Sequence, residues 1–131
     1  MQQQPGAVMV CVTRQRSCRR LIAHGQELAK RDRLELIVVH VARPGENLLG
    51  NPSEGEALDF LFTTAKDYGG QMQMLRSDHV VSALQHFALD NHVLTIVMGA
   101  SRGDNTLIGE LTRALEEHAP SVRIDILDSQ G

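Results

Sequence analysis

Five short apolar runs, each parted from the next by a segment of helical period, restrict what this 131-residue chain can fold into. AVMVCVT (7–13) and LELIVVHV (34–41) are continuous runs of strand length, and shorter ones follow at QMQMLR (71–76), LTIVMG (94–99) and VRIDIL (122–127). Continuous runs suit strands buried on both faces, the condition of a parallel sheet. The last run differs, because Val122, Ile124 and Ile126 alternate with Arg123 and Asp125. It reads as an edge strand with one wetter face, or as a strand that awaits a partner chain.

The intervening segments carry apolar stripes at helical spacing. In 17–32 the stripe is Leu21, Ile22, Gly25, Leu28 and Ala29, with Ser17 placed as an N-cap. In 54–68 it is Leu58, Leu61, Phe62, Ala65 and Tyr68, and Gly69-Gly70 forms the stop. In 79–91 it is Val80, Ala83, Leu84, Phe87 and Ala88, capped by Asp78; in 107–118 it is Ile108, Leu111 and Leu115, ended before Pro120. RPGENLLGNPSEG (43–55) has the glycines and prolines of a mobile loop and reads as the longest one. The order β-α-β-α-β-α-β-α-β argues for one α/β domain over 1–131, a parallel sheet with helices on both faces and right-handed crossovers. Residues 1–6 and 128–131 are expected to be flexible.

Composition removes several functions. No run approaches the ~18 apolar residues of a membrane span, so no membrane insertion is expected. MQQQPGAVMV has no basic stretch leading into a long apolar one, so it does not read as a secretory signal and a cytoplasmic location is expected. The chain carries 13 basic and 16 acidic residues, net −3, and its aromatics are only Phe60, Phe62, Tyr68 and Phe87. Single-strand nucleic-acid binders pair a basic groove with stacking aromatics, so nucleic acid is not expected as a partner.

Against that acidic balance, Arg14, Arg16, Arg19 and Arg20 crowd the place where the first apolar run hands over to a helix. A helix N-terminus is partly positive, and a basic side chain there is disfavoured by about 0.3–1 kcal/mol. Two readings stand. The arginines form a solvated basic flank screened within roughly 8–10 Å, or an anion lies between them and cancels both charges, since guanidinium groups bind phosphate bidentately and the helix end adds N–H donors. Arg19 and Arg20 lie inside the helix and read as surface.

Other chemistry finds little support. His79 and His86 are separated by roughly 10.5 Å along a helix axis, too far to share an ion. No HExxH motif or Cys/His cluster occurs among the six histidines and two cysteines, and the metal expectation is none. Cys11 reads as a small buried hydrophobe; Cys18, in a first helical turn beside arginines, reads either as a filler or as an activated thiol. Ser17 and Ser101 are the candidate nucleophiles, but neither lies in GxSxG, and Asp104 is the one candidate magnesium ligand near that turn. No catalytic residue is assigned.

The ordered set VCVT, CRRLIAHGQELAKR, LELIVVHVARP, ALDFLFTTAKDYGGQ and VVSALQHFALDNHVLTIVMGASR resembles the universal stress protein family over nearly the whole chain. It is especially similar to the domain of that family within potassium-responsive sensor histidine kinases. The resemblance implies a Rossmann-like, adenine nucleotide alpha hydrolase-like fold whose five-stranded parallel sheet has the order 3-2-1-4-5. Strands 1 and 4 are then neighbours whose connections leave in opposite directions, and ligands of such sheets bind in that crevice. ATP-binding members carry Gly, two residues, Gly, nine residues, then Gly and Ser or Thr. Here Gly99 opens the pattern, Arg102 takes the second glycine position, and Thr112 and Arg113 close it, while Thr13 stands for the family's acidic residue.

The resemblance and the arginines together imply a non-catalytic sensory module. It would hold a small anion or nucleotide (ATP, AMP or a cyclic dinucleotide) with Thr13, Arg14, Arg16, Ser17, Gly99, Ser101, Arg102, Gly103 and Asn105. Two alternatives stand beside it. One is an interaction module without nucleotide binding that dimerises through Val122, Ile124 and Ile126 on the last strand; the other is a nucleotide-hydrolysing enzyme. A homodimer through that strand and a kinase or transporter are the expected protein partners.

Overall fold

The computed structural model of the protein describes residues 6–100 and 106–127. The expected flexible ends at 1–5 and 128–131 lie outside the described residues. In chain order the elements are β1 (Ala7–Cys11), α1 (Gln15–Asp32), β2 (Glu35–Ala42), α2 (Glu54–Asp67), β3 (Gln71–Arg76), α3 (Val80–Asp90), β4 (Val93–Gly99), α4 (Thr106–His118) and β5 (Arg123–Leu127). The sheet is five-stranded and parallel, in the order β3-β2-β1-β4-β5. This is the expected α/β topology, and it puts β1 in the centre, where all five of its residues are buried.

Alternate residues of the strands feed two cores. Val8, Val10, Leu36 and Val38 meet Leu21, Ile22 and Ala29 of α1 and Leu61 of α2. Met9, Ile37, Val39 and Ile96 meet Leu84 of α3 and Leu111 and Leu115 of α4. Each such side chain, fully buried, contributes about 1.5–3 kcal/mol; the runs of β1 and β2 are buried on both faces, whereas QMQMLR forms the edge strand β3 and buries no residue fully. Gly25 has a packing reason: a β-carbon there would lie 2.3 Å from Val10 Cγ2, so α1 can settle on β1 only without a side chain at that turn. Gly69 (φ 78°) takes the left-handed turn after α2, and the Gly70 amide closes back on Ala65 O at 2.8 Å, the expected stop.

Several local expectations are corrected. The N-cap of α1 is Arg14, without a side-chain cap; Ser17 lies in the first turn and donates its hydroxyl to Arg14 O at 3.3 Å. The N-cap of α3 is His79 rather than Asp78, with its amide donating to Ser77 Oγ at 3.0 Å. Phe62 faces outward at 55% exposure, and Thr64 is buried in the α2 stripe instead. Loop 43–53 is folded: a 3-10 turn at Leu48–Gly50 buries Leu48 and Leu49 against the α1/α2 core. Two adjacent leucines in a glycine-rich loop are apolar cargo that water would not tolerate, so they bend the loop back over the sheet.

Candidate functional site

The carboxyl ends of β1 and β4 stand side by side. Val10 pairs with Val97, and two residues further on the strands end near Val12 and Gly99. From there α1 packs on one face of the sheet and α4 on the other, because their buried stripes belong to different cores. This is the topological switch at which open α/β sheets bind ligands.

On the β1 side Thr13, Arg14 and Arg16 are exposed, and Gln15 and Ser17 are half-buried. The first turn of α1 contains no acidic residue. By contrast α2 begins with Glu54 and Glu56 and a Ser53 cap whose Oγ accepts from the Glu56 amide at 3.4 Å, the arrangement a helix dipole favours. Neither Arg14 nor Arg16 has an acidic partner within ion-pair distance among the described residues. Arg19 turns away from this edge and lies over the Phe60 ring, 5.6 Å from its centroid.

On the β4 side Gly99 is the one predicted ligand residue that falls among the described residues. A β-carbon at Gly99 would rest 3.4 Å from the Leu21 methyls, an ordinary contact, so the interior itself does not demand glycine here. The predicted ligand residues Ser101, Arg102, Gly103 and Asn105 lie outside the described residues, as does Asp104. The structure therefore brings Thr13, Arg14, Arg16, Ser17 and Gly99 to one end of the sheet and leaves the other four undescribed.

A cavity of about 670 Å³ opens at the same carboxyl end, on the α3/α4 side. Arg43 from the β2 exit, Asp78 and His79 from the β3–α3 turn, Ser82 and Gln85 on α3, and Thr106 and Glu110 on α4 line it. None of these was singled out as a ligand residue in the sequence, and residues 13–17 do not line it. They come from three connections, those that follow β2, β3 and β4, whose meeting depends on strand order, so no local pattern could have flagged them.

His40 is a second residue that sequence reasoning passed over. It sits at the end of the VVHV run, 5% exposed, with both ring nitrogens used: Nδ1–H donates to Val12 O at 2.8 Å, and Nε2 accepts the Leu49 amide at 3.1 Å. Burial holds its pKa below the ordinary histidine value, partly offset by the Val12 hydrogen bond. The thiols are removed from reactive chemistry. Burial pushes both Cys11 and Cys18 up to about 12, and Cys18 Sγ donates to Arg14 O at 3.3 Å, so the activated-thiol reading of Cys18 fails. Among the described residues, no group of three or more His, Cys, Asp or Glu side chains could hold a metal ion, and no helix is long and apolar enough to cross a membrane.

The structure resembles solved universal stress proteins along nearly its whole length. The protein from Archaeoglobus fulgidus matches with TM-score 0.65 and 15% identity, covering 95% of this chain and 93% of that one. A universal stress protein from Archaeoglobus fulgidus in complex with dAMP matches with TM-score 0.61 and 17% identity, covering 93% and 98%. A universal stress protein in complex with cAMP matches with TM-score 0.64 and 17% identity, covering 98% and 100%. No protein-family model matches the sequence, and no curated protein does. At these identities the likeness is one of fold.

Proposed function

We propose that this chain is a non-catalytic regulatory domain that binds an adenine nucleotide or similar small anion at the carboxyl ends of β1 and β4. One observation carries the reading: exposed Arg14 and Arg16 stand at an uncapped helix start, beside the end of β4, where Gly99 is a glycine that internal packing does not require. Such an end is destabilised when bare and relieved by an anion. The cAMP and dAMP complexes of proteins with this fold support the ligand class. Ser101, Arg102, Gly103 and Asn105 complete the proposed binding set. The sequence resemblance extends the proposal to a setting in or beside a potassium-responsive sensor kinase in the cytoplasm, where occupancy would be passed to a kinase or transporter partner.

Isothermal titration against cAMP, dAMP, AMP, ATP and cyclic di-AMP at low salt tests it. Heat of binding with at least one, lost in Arg14→Ala/Arg16→Ala, is the expected result; no heat with any of them overturns it. Release of phosphate from ATP would favour hydrolysis instead.

A second reading is favoured by β5. It is an edge strand, and Ile126 is 41% exposed on it. A second copy of the chain adding its own edge there would cover that isoleucine together with Val122 and Ile124.

A further inference from the structure

The 43–53 loop is held over the sheet by contacts from four directions. Arg76 on β3 donates to Arg43 O at 3.2 Å and Glu46 O at 3.3 Å, and pairs with Glu54 Oε1 at 2.6 Å. Asn51 Nδ2 donates to Gln15 Oε1 at 3.1 Å, tying the loop to the first residue of α1. Leu48 and Leu49 are buried. The fourth contact is the Leu49 amide on His40 Nε2. Leu49 itself has φ 56°, ψ 21°, left-handed backbone that a side chain disfavours and that persists only while its surroundings enforce it.

We propose that His40 is a proton-operated latch: a proton taken from solvent onto Nε2 breaks the bond from the Leu49 amide and releases the 43–53 loop from the end of the sheet. The stereochemistry leaves no neutral compromise. Nδ1 is committed as a donor to Val12 O, so Nε2 is the position that accepts both the incoming proton and the amide hydrogen. Once protonated, two donors face each other, and the enforced turn at Leu49 loses what enforces it. The charged groups that act on the ring are Glu46 in the loop, which favours the imidazolium, and Arg76 on β3, which opposes it. The end of β1 presents the Val12 carbonyl to the ring, a hydrogen bond that favours the imidazolium. Release would expose two leucines and free Gln15, and so loosen the start of α1 beside Arg14 and Arg16. The latch lies within the fold and holds whether or not the nucleotide reading does.

The test is NMR on the intact chain from about pH 7.5 down to about pH 5, the range in which histidine changes charge. Ring nitrogen shifts follow His40, and amide exchange follows residues 46–51 together with β1 and β4. At the upper end the ring is expected in its Nδ1–H form. As it titrates, Leu49 exchange, corrected for its intrinsic pH dependence, should rise roughly tenfold, the worth of one lost hydrogen bond, with β1 and β4 still protected. His40→Gln should abolish the pH response; if that variant does not fold, the His40 resonance of the unaltered chain decides alone. A ring still neutral at about pH 5, Leu49 exchange that ignores its titration, or simultaneous opening of β1 and β4 overturns the proposal.

Discussion

His24 Nε2 lies 2.7 Å from Asp125 Oδ2, a hydrogen bond that joins the middle of α1 to the edge strand β5. Asp125 belongs to the polar alternation of that strand, which reads in sequence as a wet face. In the fold it faces a helix, and one of the polar residues that marked the strand as an edge is spent on holding α1 down. The outward apolar position is Ile126, which pairs in register with Met98.

Asp125→Ala should lower stability by about 0.5–1 kcal/mol, since both side chains are partly exposed (30% and 43%) and solvent screens the pair. A double-mutant cycle with His24→Ala, read by urea denaturation, should return a coupling energy no larger than that. Additive effects would mean that the pair contributes nothing.

Arg14 and Arg16 should behave as functional residues that the fold would rather lose. Arg16→Glu places an acid in the first turn of α1 and should raise stability by about 0.3–1 kcal/mol. The same change should abolish the heat of nucleotide binding. A thermal melt and a titration on one sample read both effects, and a destabilised variant would show that the arginines serve the fold.

Two glycines should separate in the same way. Gly25→Ala forces a β-carbon into Val10 and should cost about 1–3 kcal/mol by overpacking. Gly99→Ala meets only ordinary contact with Leu21, so it should change stability by less than about 1 kcal/mol while weakening ligand binding. Chemical denaturation compares the two.

Stability should fall on the acid side because of His40. Its folded-state pKa lies below the free value of 6.5, so the unfolded chain binds the proton more readily. The contribution is complete above the free value and is lost as pH drops through the folded one. Denaturation midpoints of the unaltered chain and His40→Gln should therefore converge as the pH is lowered from about 7.5 to about 5.

If β5 is where two copies meet, Ile126→Lys should yield monomers by light scattering without loss of stability, because Ile126 is already 41% exposed. An unchanged oligomeric state would place any contact elsewhere. Ile124 is the poorer probe, since it also packs against the α3/α4 core.

The strands and helices were legible because their signals are local. A run such as AVMVC must be hidden on both sides, and a stripe such as Leu21, Ile22, Gly25 and Ala29 must be hidden on one; both are buried as their spacing requires. The helix caps were less legible: Ser17 and Asp78 have the right chemistry for capping, yet Arg14 and His79 hold those positions. Where a strand stops decides where the next helix begins, and β1 stops at Cys11, ahead of the end of its apolar run. Loop 43–53 misled for a related reason, since its glycines and prolines advertise freedom while its two leucines remove it.

By itself the chain determined an alternating α/β domain and a cluster of arginines at a helix start, because periodicity and charge depend only on neighbours in sequence. Tertiary structure decided what stands beside what: β1 next to β4, His40 between Val12 and Leu49, Asp125 under His24, and a cavity built from three separate connections. These are meetings between residues far apart in the chain. Their energy appears only after the strands have been ordered, so no local pattern can encode them.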